Sequence, residues 1–199
     1  MTAGRVPPVV VAITGASGAP YAVRLVEQLA VAHRPVSLIV SSHGWRLLGM
    51  EAGIADTSAL RDRVGAARWD AAVTVYDDGD RGAAPASGSA RSSGMVVCPC
   101  SMGTLAAIAH GTSRSLIERA ADVTLKERRP LLLVPRETPL SVIHLENMLT
   151  LRRAGATILF LAPGFYAGAE TVDDLVSFVV ARILDQLGLE NALVPRWGA

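Results

Sequence analysis

The sequence is short of nearly everything that marks a secreted, membrane-bound or nucleic-acid-binding protein. It has two cysteines in 199 residues. Cys98 and Cys100 stand as C-P-C, too close for a redox C-x-x-C pair and without the second ligand cluster that zinc needs. Cys98 therefore reads as a small buried side chain at a strand end. The longest early apolar run, Val9 to Ile13, is too short for a secretory core, and nothing approaches the ~20 apolar residues of a membrane span. The expectation is a cytoplasmic protein. A formal charge of +1 supplies no field for nucleic acid or an anionic membrane. Aromatic residues make up only 5% while half of the chain is hydrophobic, so the apolar content is chiefly Ala, Val and Leu. That composition suits tightly packed helices and buried parallel strands, and its excess points to buried subunit contacts. No linker interrupts the chain, so residues 1–199 read as one domain, with a tail from about 189 free to pack on a neighbouring subunit.

What is present is an alternation. VVVAI (Val9 to Ile13), VSLIV (Val36 to Val40), MVVCP (Met95 to Pro99), LLLVP (Leu131 to Pro135) and TILFL (Thr157 to Leu161) read as strands buried on both faces, with helical patterns between them. Such alternation implies right-handed crossovers and a parallel sheet, hence an α/β, doubly wound, Rossmann-like (flavodoxin-like) fold with helices on both faces. Pro20 suits a first helical turn, and Thr138-Pro139 reads as an N-cap with Pro at the first helical position of a helix that Gly155 ends. Thr171 with Asp174 forms a capping-box pattern for a helix running to Gly188. The stretch from Asp77 to Gly94, DDGDRGAAPASGSARSSG, is small, polar and unperiodic: a mobile lid or a solvated loop, with its length tilting the choice to a lid.

Ligands of such sheets bind at the carboxyl ends of the strands. Those ends carry Ser17, Ser41 with Ser42, Ser101, and Arg136 with Glu137. The first turn reads G-A-S-G, not the G-x-G-x-x-G of a dinucleotide site, and serines follow VSLIV where an acid would hold a ribose hydroxyl. NAD is disfavoured, and a mononucleotide phosphate fits the hydroxyls and helix N-termini better. Ser101 is a plausible N-cap with Thr104 one turn on. Lys126 lies seven residues after Arg119 and shares its helix face, whereas Arg128 and Arg129 read as solvated helix-end charges. An Arg136-Glu137 pair at a strand end is costly to bury without a task.

GASGAPYAVRL, PCSMGTLAAIAHG, RAADVTLKERRPLLLVPRETPLSVIHLENM and the later PGFY closely resemble the UbiX-like flavin prenyltransferases, in order over nearly the whole chain. The resemblance implies transfer of a dimethylallyl group from dimethylallyl phosphate to N5 and C6 of reduced FMN, making prenylated FMN for a UbiD-type decarboxylase. It implies FMN contacts from Gly15, Ala16, Ser17, Ser41, Ser101, Met102, Thr104 and Arg119. It places Glu51 near N5, Glu137 by the reacting carbons, and Lys126, Arg136, Tyr166 and Arg182 around the prenyl phosphate, with Trp197 offering a π-face. Ser17, Glu51, Glu137 and Lys126 are the implied catalytic groups, and the implied assembly is a dodecamer with sites at subunit interfaces. The D-D-x-x-D motif of diphosphate-using prenyltransferases is missing, since Asp77-Asp78-Gly79-Asp80 has the wrong spacing and reads as solvated. No metal is therefore expected, and fixed cations take its place. Gly103, where relatives often carry Lys, and AGAE after Tyr166 depart from the pattern. Two other readings are an FMN-dependent peptidyl-cysteine or phosphopantothenoylcysteine decarboxylase, whose P-x-M-N-x-x-M-W motif PRETPLSV does not match, and a flavin-binding accessory subunit. His110 and His144 read as capping or packing residues.

Overall fold

The computed structural model describes residues 6–166 and 168–196. Six strands form one parallel sheet: β1 (Val9–Ile13), β2 (Val36–Val40), β3 (Val73–Asp77), β4 (Gly94–Cys100), β5 (Leu131–Pro135) and β6 (Thr157–Ile158), in the order β3-β2-β1-β4-β5-β6. The chain steps outward from β1 to β3, then returns to lay β4 beside β1. That reversal leaves a crevice at the carboxyl ends of β1 and β4, where folds of this class seat their ligands.

Among the described residues eight α-helices cover the sheet: α1 (Ala19–Val31), α2 (Ser42–Ala52), α3 (Thr57–Val64), α4 (Ala66–Ala72), α5 (Met102–Ala109), α6 (Leu116–Lys126), α7 (Val142–Arg153) and α8 (Val172–Gln186). Alternate strand residues serve opposite faces. Val9, Val11, Ile13, Leu38 and Val134 pack with α1 and α8, and Val10, Ala12, Ile39, Leu131 and Leu133 pack with α5, α6 and α7. Cys98 belongs to the first layer and Cys100 to the second, although two residues apart they would share a face of a regular strand. A register shift between Val97 and Cys100 accounts for the switch. Both thiols are fully buried, and burial pushes their pKa values far up, so both are inert packing groups.

Three local expectations are corrected. Thr138-Pro139 does not open α7: that peptide is cis and lies in the preceding loop, and Ser141 is the N-cap, in a reciprocal box with His144. TILFL does join the sheet, through Thr157 and Ile158 and the Leu159 and Leu161 amides, which reach the Leu133 and Pro135 carbonyls at 2.9 and 3.2 Å, but it is half-buried to exposed rather than buried on both faces, and VTVYD at the opposite edge is a sixth strand that no apolar run announced. The segment from Asp77 to Gly94 is not a lid. It takes the place of a crossover helix between β3 and β4 and is pinned along its length. The Asp78 carbonyl and carboxylate accept the Leu116 and Ile117 amides at 2.7 and 2.9 Å, capping α6. Arg129 donates to the carbonyls of Gly88 and Ala90 at 2.7 and 2.8 Å. Asp78 and Arg129 are thus fasteners of this loop rather than solvated charges.

Candidate active site

The turn after β1 is built around a borrowed carboxylate. Glu51, on the last turn of α2, accepts the amides of Gly18 and Ala19, each at 2.8 Å, at the N-terminus of α1. No side chain of α1's own entry caps that end, so Glu51 satisfies its exposed amides and faces the positive end of the helix dipole. Partial burial pushes the Glu51 pKa up, but the Gly18 amide, the Ser17 hydroxyl, the Ala19 amide and the nearby Arg136 charge outweigh it and hold the carboxyl below the usual range. Glu51 is therefore ionised at neutral pH. Ser17 after β1 bonds Glu51 of α2 at this point, and Arg136 after β5 is close enough for its charge to act on the same carboxylate.

Thr14 ties the β1 turn to the β4 turn. Its hydroxyl, 1% exposed with the rest of the residue, donates to the Pro99 carbonyl and accepts the Ser101 amide, both at 2.8 Å. Ser101 then caps α5, accepting the Thr104 amide at 3.2 Å and donating to the Thr104 hydroxyl at 3.0 Å. Ser41 caps α2 through the Gly44 amide at 3.0 Å. Two glycines allow these pieces to close up. A Cβ on Gly44 would stand 2.5 Å from the Ile13 carbonyl oxygen, and one on Gly15 would stand 2.5 Å from the Cβ of His43. The result is an exposed Gly15 backbone flanked by the N-termini of α2 and α5, with Ser41, Ser101 and Thr104 hydroxyls on either side.

After β5, Arg136 is exposed and Glu137 half-buried, with Glu137 Oε1 accepting the Thr138 amide at 3.0 Å. The remaining expected residues stand apart from this cluster within one chain. Arg119 bonds Asp122 at 2.7 Å and the Ala86 carbonyl at 3.3 Å on the exposed side of α6. Lys126 is on the same side, 3.4 Å from Glu127. It ends an 11-residue helix, roughly 15 Å from the capped N-terminus that lies at the sheet's carboxyl edge. Tyr166 packs edge-on against Phe178, with ring centroids 5.6 Å apart. Together with Arg182 they line a separate cavity of about 340 Å³. Trp197 lies outside the described residues, and Met102 sits half-buried on the first turn of α5.

The residues at the crevice fit a flavin mononucleotide. Two helix N-termini with capping hydroxyls suit one phosphate, while the absence of a side chain at Gly15 leaves a backbone surface for a flat ring. Gly103 opens onto free space, so its departure from Lys leaves the crevice unobstructed. Among the described residues, no cluster of three His, Cys, Asp or Glu is placed to hold a metal. Sequence reasoning missed Thr14, His43 and the α1-capping role of Glu51. Only Thr14 carried a local signal, a polar residue closing an apolar strand before a glycine turn.

Comparison with known proteins places this geometry. The family model described as Flavoprotein matches residues 3–184. A protein named flavin prenyltransferase UbiX from Pseudomonas aeruginosa is 49% identical, covering 96% of this chain and 93% of its own. A crystal structure described as AnUbiX in complex with FMN and dimethylallyl pyrophosphate superposes with a TM-score of 0.89 at 41% identity, covering 98% of this chain and 99% of that one. A dodecameric FMN-dependent UbiX-like decarboxylase from Escherichia coli O157:H7 superposes with a TM-score of 0.88 at 42% identity, covering 96% and 100%.

Proposed function

The chain belongs to the flavoprotein family and to its flavin prenyltransferase branch, and on that premise we propose that it joins the dimethylallyl group of dimethylallyl phosphate to N5 and C6 of reduced FMN. The observation that carries this reading is the meeting of Ser17, ionised Glu51 and Arg136 at the β1/β4 crevice, in a chain nearly half identical to a flavin prenyltransferase over almost its full length. The decarboxylase alternative finds no matching motif in PRETPLSV, where Arg136 and Glu137 stand instead.

Reduced FMN, when bound, supplies the two nucleophilic atoms, N5 and C6. Gly15, Ala16, Ser17, Ser41, Ser101, Met102 and Thr104 hold it, with Arg119 contributed to its phosphate. Arg136, Lys126, Tyr166 and Arg182 take the negative charge that builds on the allyl phosphate as its carbon–oxygen bond breaks and the electron pair leaves with phosphate. Fixed guanidinium and ammonium groups do this without a metal. Glu51 would face the positive charge left on the allyl fragment, and for ring closure Glu137 or Glu51, with Ser17, would take the proton lost from C6 while the remaining carbon–carbon double bond gains one, so that protons balance across the second bond.

Because Lys126, Tyr166 and Arg182 stand away from Arg136 in one chain, the complete site is assembled from neighbouring copies. Val142, Ile143, Leu145 and Leu149 of α7 and Phe165 are at least 49% exposed, which supplies apolar surface for that assembly. A dodecamer in the cytoplasm, handing prenylated FMN to a UbiD-type decarboxylase, completes the reading. The test is anaerobic incubation with reduced FMN and dimethylallyl phosphate, the flavin then weighed by mass spectrometry. A flavin heavier by one five-carbon unit, with phosphate released, is expected; an unchanged flavin contradicts the proposal.

A further inference from the structure

The C-terminal part of the chain gathers two guanidinium groups on one carboxylate. Asp185, near the end of α8 with only 15% of its side chain exposed, accepts Arg182 Nη1 at Oδ2 at 2.7 Å. Its Oδ1 lies 2.9 Å from Arg196 Nη2 and 3.1 Å from Asn191 Nδ2. Asn191 Nδ2 also reaches the Ala181 carbonyl at 3.4 Å, and Leu189 and Leu193 pack on the core, so residues 189–196 fold back along their own helix. Both guanidinium groups remain half exposed, at 52% and 58%. With Tyr166 and Phe178 they line the cavity of about 340 Å³.

This arrangement is shaped for an anion. Two like charges side by side repel, and Asp185 lets them adjoin by neutralising one, leaving the trio with a net charge of +1. Each contact to Asp185 uses few of the five donors that an arginine carries in a planar fork, and that fork matches a phosphate. Phe178 fixes the Tyr166 ring edge-on at 87°. We propose that Arg196 is a phosphate-binding residue for the allyl phosphate, and that Asp185 is the positioning residue that holds Arg196 beside Arg182. The proposal rests on the prenyltransferase reading and adds to it a cation that lies in the tail, where nothing in the local sequence pattern marks it.

The test uses the FMN-loaded oligomer with oxidised flavin, which binds without turning over. Dimethylallyl phosphate is titrated into it by calorimetry, FMN affinity is followed by fluorescence, and oligomer size by light scattering. Arg196→Ala is expected to weaken dimethylallyl phosphate binding about tenfold, the scale of one charge-assisted contact, with FMN affinity and oligomer size unchanged. Arg196→Lys should recover part of that loss. Asp185→Asn should raise the KM for dimethylallyl phosphate more than it lowers kcat. Wild-type titration by Arg196→Ala, or a loss that tracks oligomer dissociation, overturns the proposal while leaving the prenyltransferase reading intact. Failure of the unmodified holoenzyme to bind dimethylallyl phosphate overturns both.

Discussion

At Thr14 a single hydroxyl holds two strand ends together. It is buried, donates to Pro99 and accepts from Ser101, so Thr14→Val would keep the shape and the Thr14 amide to Pro99 carbonyl bond at 3.2 Å but strand the Ser101 amide. Leaving buried partners unpaired costs about 1–3 kcal/mol, and denaturant unfolding should show a loss of that order; an unchanged midpoint would contradict the bridge. Glu51 adds a pH dependence. Its folded pKa lies below its ordinary value, so its contribution is present in full above the unfolded pKa and fades as pH falls through the folded one. The wild type should therefore be more stable than Glu51→Gln at neutral pH, with the gap closing as pH falls below the ordinary glutamate range. A gap independent of pH would mean that the charge is not what α1 needs. Residue types at strand ends were readable in advance because polar groups there break an apolar pattern. The Glu51–Gly18 contact was not, since it spans 33 positions and depends on how α2 lies against β1.

Elements were legible in proportion to their burial. β1, β2, β4 and β5 are buried along their length and appear as apolar runs, whereas β3 alternates half-buried and exposed positions and β6 pairs through two residues. An edge strand shielded on one side lacks the composition that marks a central one. The segment from Asp77 to Gly94 misleads for a related reason: it has no periodicity, yet backbone and carboxylate contacts to α6 and Arg129 hold it. Asp78 is the fastener at its start. Asp78→Ala should free the Ile117 amide of α6, while the Leu116 amide keeps its backbone acceptor, and cost about 0.5–2 kcal/mol, the range of a lost helix cap. Hydrogen exchange should then quicken at Ile117; unaltered protection there would show that water caps the helix equally well.

At the scale of the whole molecule, the groups that the proposed function assigns to the chemistry lie in separate parts of one chain. Glu51 and Arg136 sit at the crevice, Lys126 at the far end of α6, and Tyr166 with Arg182 and Arg196 around the α8 cavity. On the proposed reading one chain does not complete the site, and the exposed apolar side chains on α7 and the excess of Ala, Val and Leu supply the surface for assembling it from neighbouring copies. The most direct measurement of that central claim is complementation. Subunits carrying Glu51→Gln and subunits carrying Lys126→Ala, each nearly inactive alone, are co-expressed with different tags, and mixed oligomers are isolated through both. If Glu51 and Lys126 of one site come from different copies, random pairing leaves about one site in four intact, and prenylated FMN should form at about a quarter of the wild-type rate. Mixed oligomers as inactive as either parent would place both residues in one chain's site and contradict the account.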